Sequence, residues 1–193
     1  MDTMWKASLW RQFGRVIDQL EDALRDCPDK LWGESLWEVK PHDPGVRPVE
    51  SSNGGGLMHP DDRSIQVFSA FWYLAYHVLG ALDFNLSGRV DGFVPPAPFT
   101  ADEHAAGVLP KTVYTRRELQ DYLAHNRQKC EATLEDLADQ QARRRCQYGG
   151  AEIPFAELLI ISMCHVKEHG AQLNMFLGQQ SVRTPSRSQT KES

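Results

Sequence analysis

The feature that most constrains the fold is a helical pattern of apolar residues between Ile153 and Gln180, with two histidines inside it. Six residues follow one another at spacings of four and three, as do the residues on the face of a helix that packs in a bundle. We call this row the seam. The seam consists of Leu158, Ser162, His165, His169, Gln172 and Phe176. On a helix, His165 and His169 lie one turn apart on the same face. We therefore expect both imidazoles to project into the interior, where polar groups need partners.

The N-terminal half of the chain contains two more helical segments. The first runs from about Thr3 to Asp26, and Pro28 ends it because proline cannot continue the helical hydrogen bonds. The second runs from about Asp61 to Leu86. It is apolar on almost every side between residues 67 and 82, so it should be the most buried helix. His77 is the one histidine in that apolar stretch.

The C-terminal half supplies the other two helices. The third opens at Thr115 with a capping box that ends at Glu118. Gly149 and Gly150 then turn the chain, and Pro154 starts the fourth helix. No segment shows a convincing strand pattern. Four amphipathic helices without strands predict an all-α protein, specifically a four-helix bundle.

Two long connections separate the first three helices. Residues 39–60 carry several prolines and a run of three glycines, and residues 88–113 contain an extended proline-rich stretch. Loops of this length in a compact domain are often functional, and we expect these two to close a pocket and select a substrate. The length of 193 residues predicts one domain, residues 1–180. The polar tail 181–193 lacks an apolar period and is predicted to be disordered.

Composition excludes several classes of function. The net charge of -5 argues against nucleic-acid binding, which needs clustered lysine and arginine. No window approaches 18 uninterrupted apolar residues, so no membrane-spanning segment is expected, and the N-terminus does not read as a signal peptide. The four cysteines form no CxxC pair, which favours free thiols in a reducing, cytoplasmic compartment.

The two stacked histidines predict a divalent-metal site, with His77 as the third ligand from another helix. Leaving two buried imidazoles without partners would cost on the order of 1–3 kcal/mol each. Three neutral nitrogen ligands suit zinc, nickel and iron(II), and they leave coordination positions open, as in catalytic sites. A metal with open positions can activate water or a thiol as a nucleophile. No catalytic protein residue is assigned.

Three further residues are candidates for contacts around the metal or with a substrate. Gln172 lies one turn beyond His169 and could orient a ligand, while Tyr73 lies one turn before His77. Glu168 could accept a hydrogen bond from an imidazole, although its neighbour Lys167 favours a solvated carboxylate. The zinc-protease motif His-Glu-x-x-His is absent.

Two alternatives to an enzyme remain open. The histidines could bind a metal for stability or for ligand sensing in a non-catalytic bundle. They could also form a metal-free core in which Tyr73 and Gln172 bridge the imidazoles by hydrogen bonds.

The segment His165-x3-His169-Gly-x-Gln172 resembles the fourth-helix signature of the DinB-like (YfiT-type) metal-binding four-helix bundles. The segment from Leu74 to Phe84 is similar to the second helix of that family, including its metal-binding histidine, and the resemblance covers most of residues 1–180. The chain departs from the family pattern by its longer loops and by Glu168 and Gly170 around His169.

The resemblance implies a fold and a chemistry. It implies a divalent metal, zinc or nickel rather than iron, held by His77, His165 and His169, and a homodimer. It also implies a small-molecule substrate. Characterised members of the family include S-transferases that attach low-molecular-weight thiols to electrophiles, and isomerases that use such thiols as cofactors. The expectation is therefore a metal-dependent thiol S-transferase, or a hydrolase if water replaces the thiol.

Overall fold

The computed structural model describes residues 3–40, 66–89, 91–104 and 109–180. Over these ranges the chain is mostly helical, and its regular structure includes four long α-helices, one short α-helix, one two-stranded sheet and two short 3-10 helices, Asp29–Leu31 and Ala101–His104. The α-helices and strands are α1 Thr3–Asp26, α2 Phe71–Leu86, α3 Arg116–Glu135, α4 Asp139–Arg143, β1 Arg145–Tyr148, β2 Ala151–Pro154 and α5 Phe155–Gln179. The connection 41–60 and the tail 181–193, for which the sequence made predictions, lie outside the described residues.

Local signals place the ends of three helices close to the predicted positions. α1 ends at Asp26, just before Pro28. Thr115 caps α3: its hydroxyl accepts from the Glu118 backbone amide, and the Glu118 carboxylate accepts from the Thr115 amide, which completes the predicted capping box. Pro154 is the N-cap residue of α5. These predictions are confirmed.

The predicted helix from about Asp61 to Leu86 is not continuous: residues 66 and 67 are helical, the helix is interrupted at 68–70, and α2 runs from Phe71 to Leu86. The predicted start falls on residues 61–65, outside the described residues. The backbone just before α2 is paired with the segment after α1. The amide of Leu36 donates to the Ser69 carbonyl at 2.8 Å, and the amide of Phe71 donates to the Glu34 carbonyl at 3.0 Å. This pairing holds the chain extended and also satisfies a first-turn amide that has no partner within the helix.

A β-hairpin lies between α4 and α5, where the sequence predicted only a turn. Strands β1 and β2 pair antiparallel, with Cys146 opposite Ile153. Gly149 and Gly150 have φ values of 58° and 83°, as a two-residue type I′ turn requires. The sequence therefore missed this two-stranded sheet, while the mostly helical structure is consistent with the predicted all-α class.

The directions of the four long helices follow from contacts between them. Lys6, near the start of α1, donates to the carbonyl of Glu135 at the end of α3, and Arg116, at the start of α3, donates to the carbonyl of Arg25 near the end of α1. α1 and α3 are therefore antiparallel. Asn126 donates to the Leu79 carbonyl and Lys129 binds Asp83, so α2 and α3 are parallel.

α5 runs antiparallel to α2, because the Phe71 ring lies near the Phe176 ring, whereas His77 lies near His165. In chain order, the long helices α1, α2, α3 and α5 therefore run up, down, down and up. Two parallel helices of about 25–30 Å need a connection that returns over their whole length, which explains why the chain between α2 and α3 is long.

One apolar core lies between the long helices. α2 is the most enclosed element, as predicted, with thirteen of its sixteen residues buried. Burying a large apolar side chain contributes roughly 1.5–3 kcal/mol, so this core dominates the stability. None of the described helices has the length and apolar character needed to cross a membrane.

Candidate metal centre

α2 and α5 bring three histidines together. One ligand nitrogen from each of His77, His165 and His169 lies within 4.8 Å of the other two. The ring centroids are 5.2 Å apart for His77 and His165, 5.3 Å for His77 and His169, and 4.5 Å for His165 and His169. Each pair of rings is close to perpendicular, at 76°, 87° and 89°. The cluster predicted from the sequence is present, and metal binding by it stays a prediction.

The burial of the cluster differs from the prediction. His77 is exposed, and His165 and His169 are only partly buried, so the expectation that they project into the interior is wrong. The reason is that the core-facing side of α5 is rotated away from the histidines. Its buried residues are Phe155, Leu158, Leu159, Ser162, Val166, Gly170, Leu173, Phe176 and Leu177. The cluster therefore lies at the edge of the core, with His77 open to solvent.

Partial burial sets the charge of the two α5 histidines. Burial lowers the pKa of His165 to about 4, and the neighbouring His169 contributes in the same direction. Burial also lowers the pKa of His169, although the hydrogen bond that His169 donates to Gln172 and the charge of Glu168 both raise it. Both imidazoles are therefore neutral near pH 7, which is the form that binds metals.

Gln172 fixes the orientation of one of these rings. The Nδ1 atom of His169 lies 2.7 Å from the Oε1 atom of Gln172. An amide oxygen only accepts hydrogen bonds, so Nδ1 carries the proton and donates it. The Nε2 lone pair of His169 is then left free for a metal, an arrangement common among metal-binding histidines.

Tyr73 and Glu168 lie beside the cluster. The Tyr73 ring stacks on His77 with a centroid distance of 6.5 Å and an interplanar angle of 14°. Burial raises the pKa of Tyr73 to about 12, so it is a neutral phenol at pH 7. Glu168 is exposed and acts on His169 through its charge. A substrate contact by either residue stays a prediction.

The donor set fits a divalent metal. Zinc–imidazole bonds are about 2.0–2.1 Å, so two nitrogens on one ion can be at most about 4.2 Å apart. Donors within 4.8 Å of one another need only a small rotation of the rings to reach that limit. Among the described residues, three side chains of the types that bind metals come together here, and all three are histidines. Three protein ligands leave coordination positions for water or a substrate.

Sequence reasoning missed a second polar cluster on another side of α2. The carboxylate of Asp83 is 1% exposed, and it accepts from the Lys129 ammonium at 2.6 Å and from the Tyr122 hydroxyl at 3.0 Å. His125, which the sequence predicted to be exposed, is partly exposed, with Nε2 3.4 Å from Asp83. Periodicity could not reveal this cluster, because its members come from two helices whose relative direction was unknown.

The cluster and the helices around it define the class of this protein as a mostly helical chain with a candidate three-histidine metal site. No protein-family model, curated protein or solved structure matches the chain. The functional argument therefore rests on its own residues.

Proposed function

We propose that the chain is a DinB-like four-helix bundle in which His77, His165 and His169 hold one divalent metal, zinc or nickel rather than iron. We further propose that it is a metal-dependent enzyme that activates a low-molecular-weight thiol, or water, for transfer to an electrophilic small molecule. The observation that carries the proposal is the convergence of three imidazole nitrogens within 4.8 Å, in a cluster open to solvent at His77.

The residues of the site have distinct parts in this proposal. A bound divalent metal would lower the pKa of a coordinated thiol or water and so supply a nucleophile at neutral pH. His165 and His169 remain neutral and keep their lone pairs, because burial lowers the pKa of each. Gln172 holds His169 in the tautomer that presents Nε2. Tyr73 packs against His77 and limits the rotation of its ring.

Two features support catalysis over a purely structural metal. Structural zinc sites are usually closed by four protein ligands, whereas this group has three members among the described residues. The exposed His77 also leaves a path from solvent to the cluster. A structural ion would be expected to be enclosed on all sides.

The experiment is an activity screen on protein loaded with zinc or nickel. Glutathione-, mycothiol- and bacillithiol-like thiols are each offered with an aryl halide electrophile, and hydrolysis of activated esters is measured in parallel. We expect one of these reactions to exceed the uncatalysed rate and to be lost in His169→Ala, whereas His125→Ala, the matched substitution of a histidine outside the cluster, keeps it. Metal-loaded protein that accelerates none of these reactions would favour a non-catalytic metal-binding or sensing bundle.

A further inference from the structure

A cleft lies at one end of the long helices, between the segment that follows α1 and the C-terminal end of α5. Its volume is about 310 Å³, close to the lower limit for sites that bind small molecules. The residues that line it are Lys30, Leu31, Glu34, Ser35, Phe176 and Gln180. None of the three clustered histidines is among them, and Phe176 lies seven residues beyond His169, about 10 Å along α5. The cleft is therefore separate from the candidate metal centre.

Two buried apolar side chains contribute to the lining of the cleft. Leu31 is 7% exposed and Phe176 is 5% exposed, and the Phe176 ring packs near the Phe71 ring with a centroid distance of 6.2 Å. The backbone around Leu31 is also fixed. The Leu31 amide donates to the Pro28 carbonyl at 2.9 Å, and the Glu34 carbonyl accepts from the Phe71 amide at 3.0 Å. The apolar part of a ligand therefore meets a preformed surface, which limits the conformational entropy lost on binding.

Two opposite charges line the same cleft. Lys30 and Glu34 are exposed, and neither forms a salt bridge within the part of the chain that the structure describes. The last turn of α5 ends beside Gln180, and the free carbonyls of a helix C-terminus carry a partial negative charge. The cleft therefore offers an ammonium to an anionic group of a ligand. It offers a carboxylate and a helix C-terminus to a cationic group.

We propose that this cleft binds a free amino acid with an apolar side chain. Lys30 binds its carboxylate, Glu34 binds its ammonium, and Leu31 and Phe176 contact its side chain. A zwitterion pairs both protein charges, whereas a ligand with a single charge leaves one of them without a partner. A volume near the lower limit of small-molecule sites suits one amino acid and not a longer peptide. The proposal does not depend on metal binding or catalysis.

A comparison of ligands tests the need for both charges and for the apolar side chain. Chemical-shift titration of the isotope-labelled full chain should detect L-phenylalanine or L-leucine with a dissociation constant of about 1 mM or tighter, as expected for ligands of this size. Glycine lacks the apolar side chain, hydrocinnamate lacks the ammonium, and phenethylamine lacks the carboxylate. Each should bind about tenfold more weakly or worse. The proposal is overturned if neither amino acid binds at about 10 mM, or if the three analogues bind as tightly as L-phenylalanine.

Charge reversal tests the two polar contacts separately. Lys30→Glu should weaken the binding of L-phenylalanine about tenfold or more and should not weaken that of phenethylamine, which has no carboxylate. Glu34→Lys should also weaken the binding of L-phenylalanine, but not that of hydrocinnamate, which has no ammonium. Lys111→Glu, a reversal at an exposed lysine outside the cleft, should leave every dissociation constant unchanged.

His169→Ala distinguishes the cleft from the candidate metal centre. This variant should bind L-phenylalanine as the unmodified chain does, because His169 does not line the cleft. Amino-acid binding that is lost in His169→Ala, but is unchanged in Lys30→Glu and Glu34→Lys, would place the ligand at the histidines and overturn the proposal.

Discussion

At the scale of single residues, Gln172 is the side chain with the best-defined part in the candidate site. Its amide oxygen accepts a hydrogen bond from the Nδ1–H group of His169, with 2.7 Å between the nitrogen and the oxygen. This bond occupies one ring nitrogen and leaves the other facing the cluster. Without this bond the ring can rotate and exchange tautomers, so a metal would bind to a less ordered set of donors.

Gln172→Ala should therefore lower the affinity for zinc by about 10- to 100-fold while leaving the fold intact. Isothermal titration calorimetry measures the change, and Gln128→Ala, at an exposed glutamine of α3, is the control. An unchanged affinity in Gln172→Ala would show that the hydrogen bond does not support a ligand.

The lowered pKa of His165 predicts a pH dependence of stability in the metal-free protein. Between the ordinary value of 6.5 and about 4, the unfolded chain takes up a proton that the folded His165 does not. The unfolded state then binds more protons, so stability falls as pH decreases through this window. Between pH 7 and pH 5, the free energy of unfolding should fall by about 1–2 kcal/mol less in His165→Gln than in the unmodified protein, as measured by urea unfolding. An equal fall in the free energy of unfolding in both proteins would contradict the lowered pKa of His165.

The grouping of the histidines could be predicted from the sequence, but their exposure could not. The spacing of His165 and His169 puts them on one side of any helix. Which side faces the core depends on where α1 and α2 pack, and Val166 and Leu173 face it more directly than the histidines do. Spacing alone therefore does not decide which of two adjacent rows of side chains on a helix faces the core.

At the scale of elements, short-range signals were reliable where a single residue determines the backbone. Pro28 and Thr115 mark the end of α1 and the start of α3, because proline lacks an amide and a threonine hydroxyl satisfies a free one. The interruption at 68–70, just before α2, was missed because pairing with residues 34–36 decides it, and that contact is remote in sequence. The hairpin was missed because each strand has only four residues.

The glycines give two predictions of opposite sign. Gly150 has a φ of 83°, so Gly150→Ala should destabilise the protein by about 1–2 kcal/mol. Gly14 lies within α1 with no atom near an added Cβ, so Gly14→Ala should stabilise it by roughly 0.5–1 kcal/mol. Thermal unfolding measures both changes. Two shifts of the same sign would contradict the assigned backbone conformations.

At the scale of the whole molecule, the parallel packing of α2 and α3 determines the arrangement. Sequence periodicity predicted the helices but not their relative directions, because a long connection can join two helices in either a parallel or an antiparallel arrangement. The ion pair of Asp83 with Lys129 links the two parallel helices, and the Lys129 ammonium also donates to the Asp83 carbonyl at 3.0 Å. An aspartate carboxylate that is 1% exposed depends on such partners.

Lys129→Met should destabilise the chain by roughly 3 kcal/mol, because it leaves the buried carboxylate of Asp83 without its nearest cation. Arg127→Met is the matched control on the same helix. Its partners Asp18 and Glu21 are 36% and 44% exposed, so its loss should be under about 1 kcal/mol. Urea unfolding measures the free energy of unfolding of both variants. Equal losses would contradict the inference that the buried carboxylate of Asp83 depends on Lys129.

The most direct test of the metal site is the binding of zinc and nickel to the whole chain and to its histidine variants. Calorimetric titration of the metal-free protein should give one ion per chain. His77→Ala, His165→Ala and His169→Ala should each lower the affinity by about 100-fold or more, whereas His125→Ala should leave it unchanged. Full affinity in any two of the three cluster variants would contradict a shared metal site.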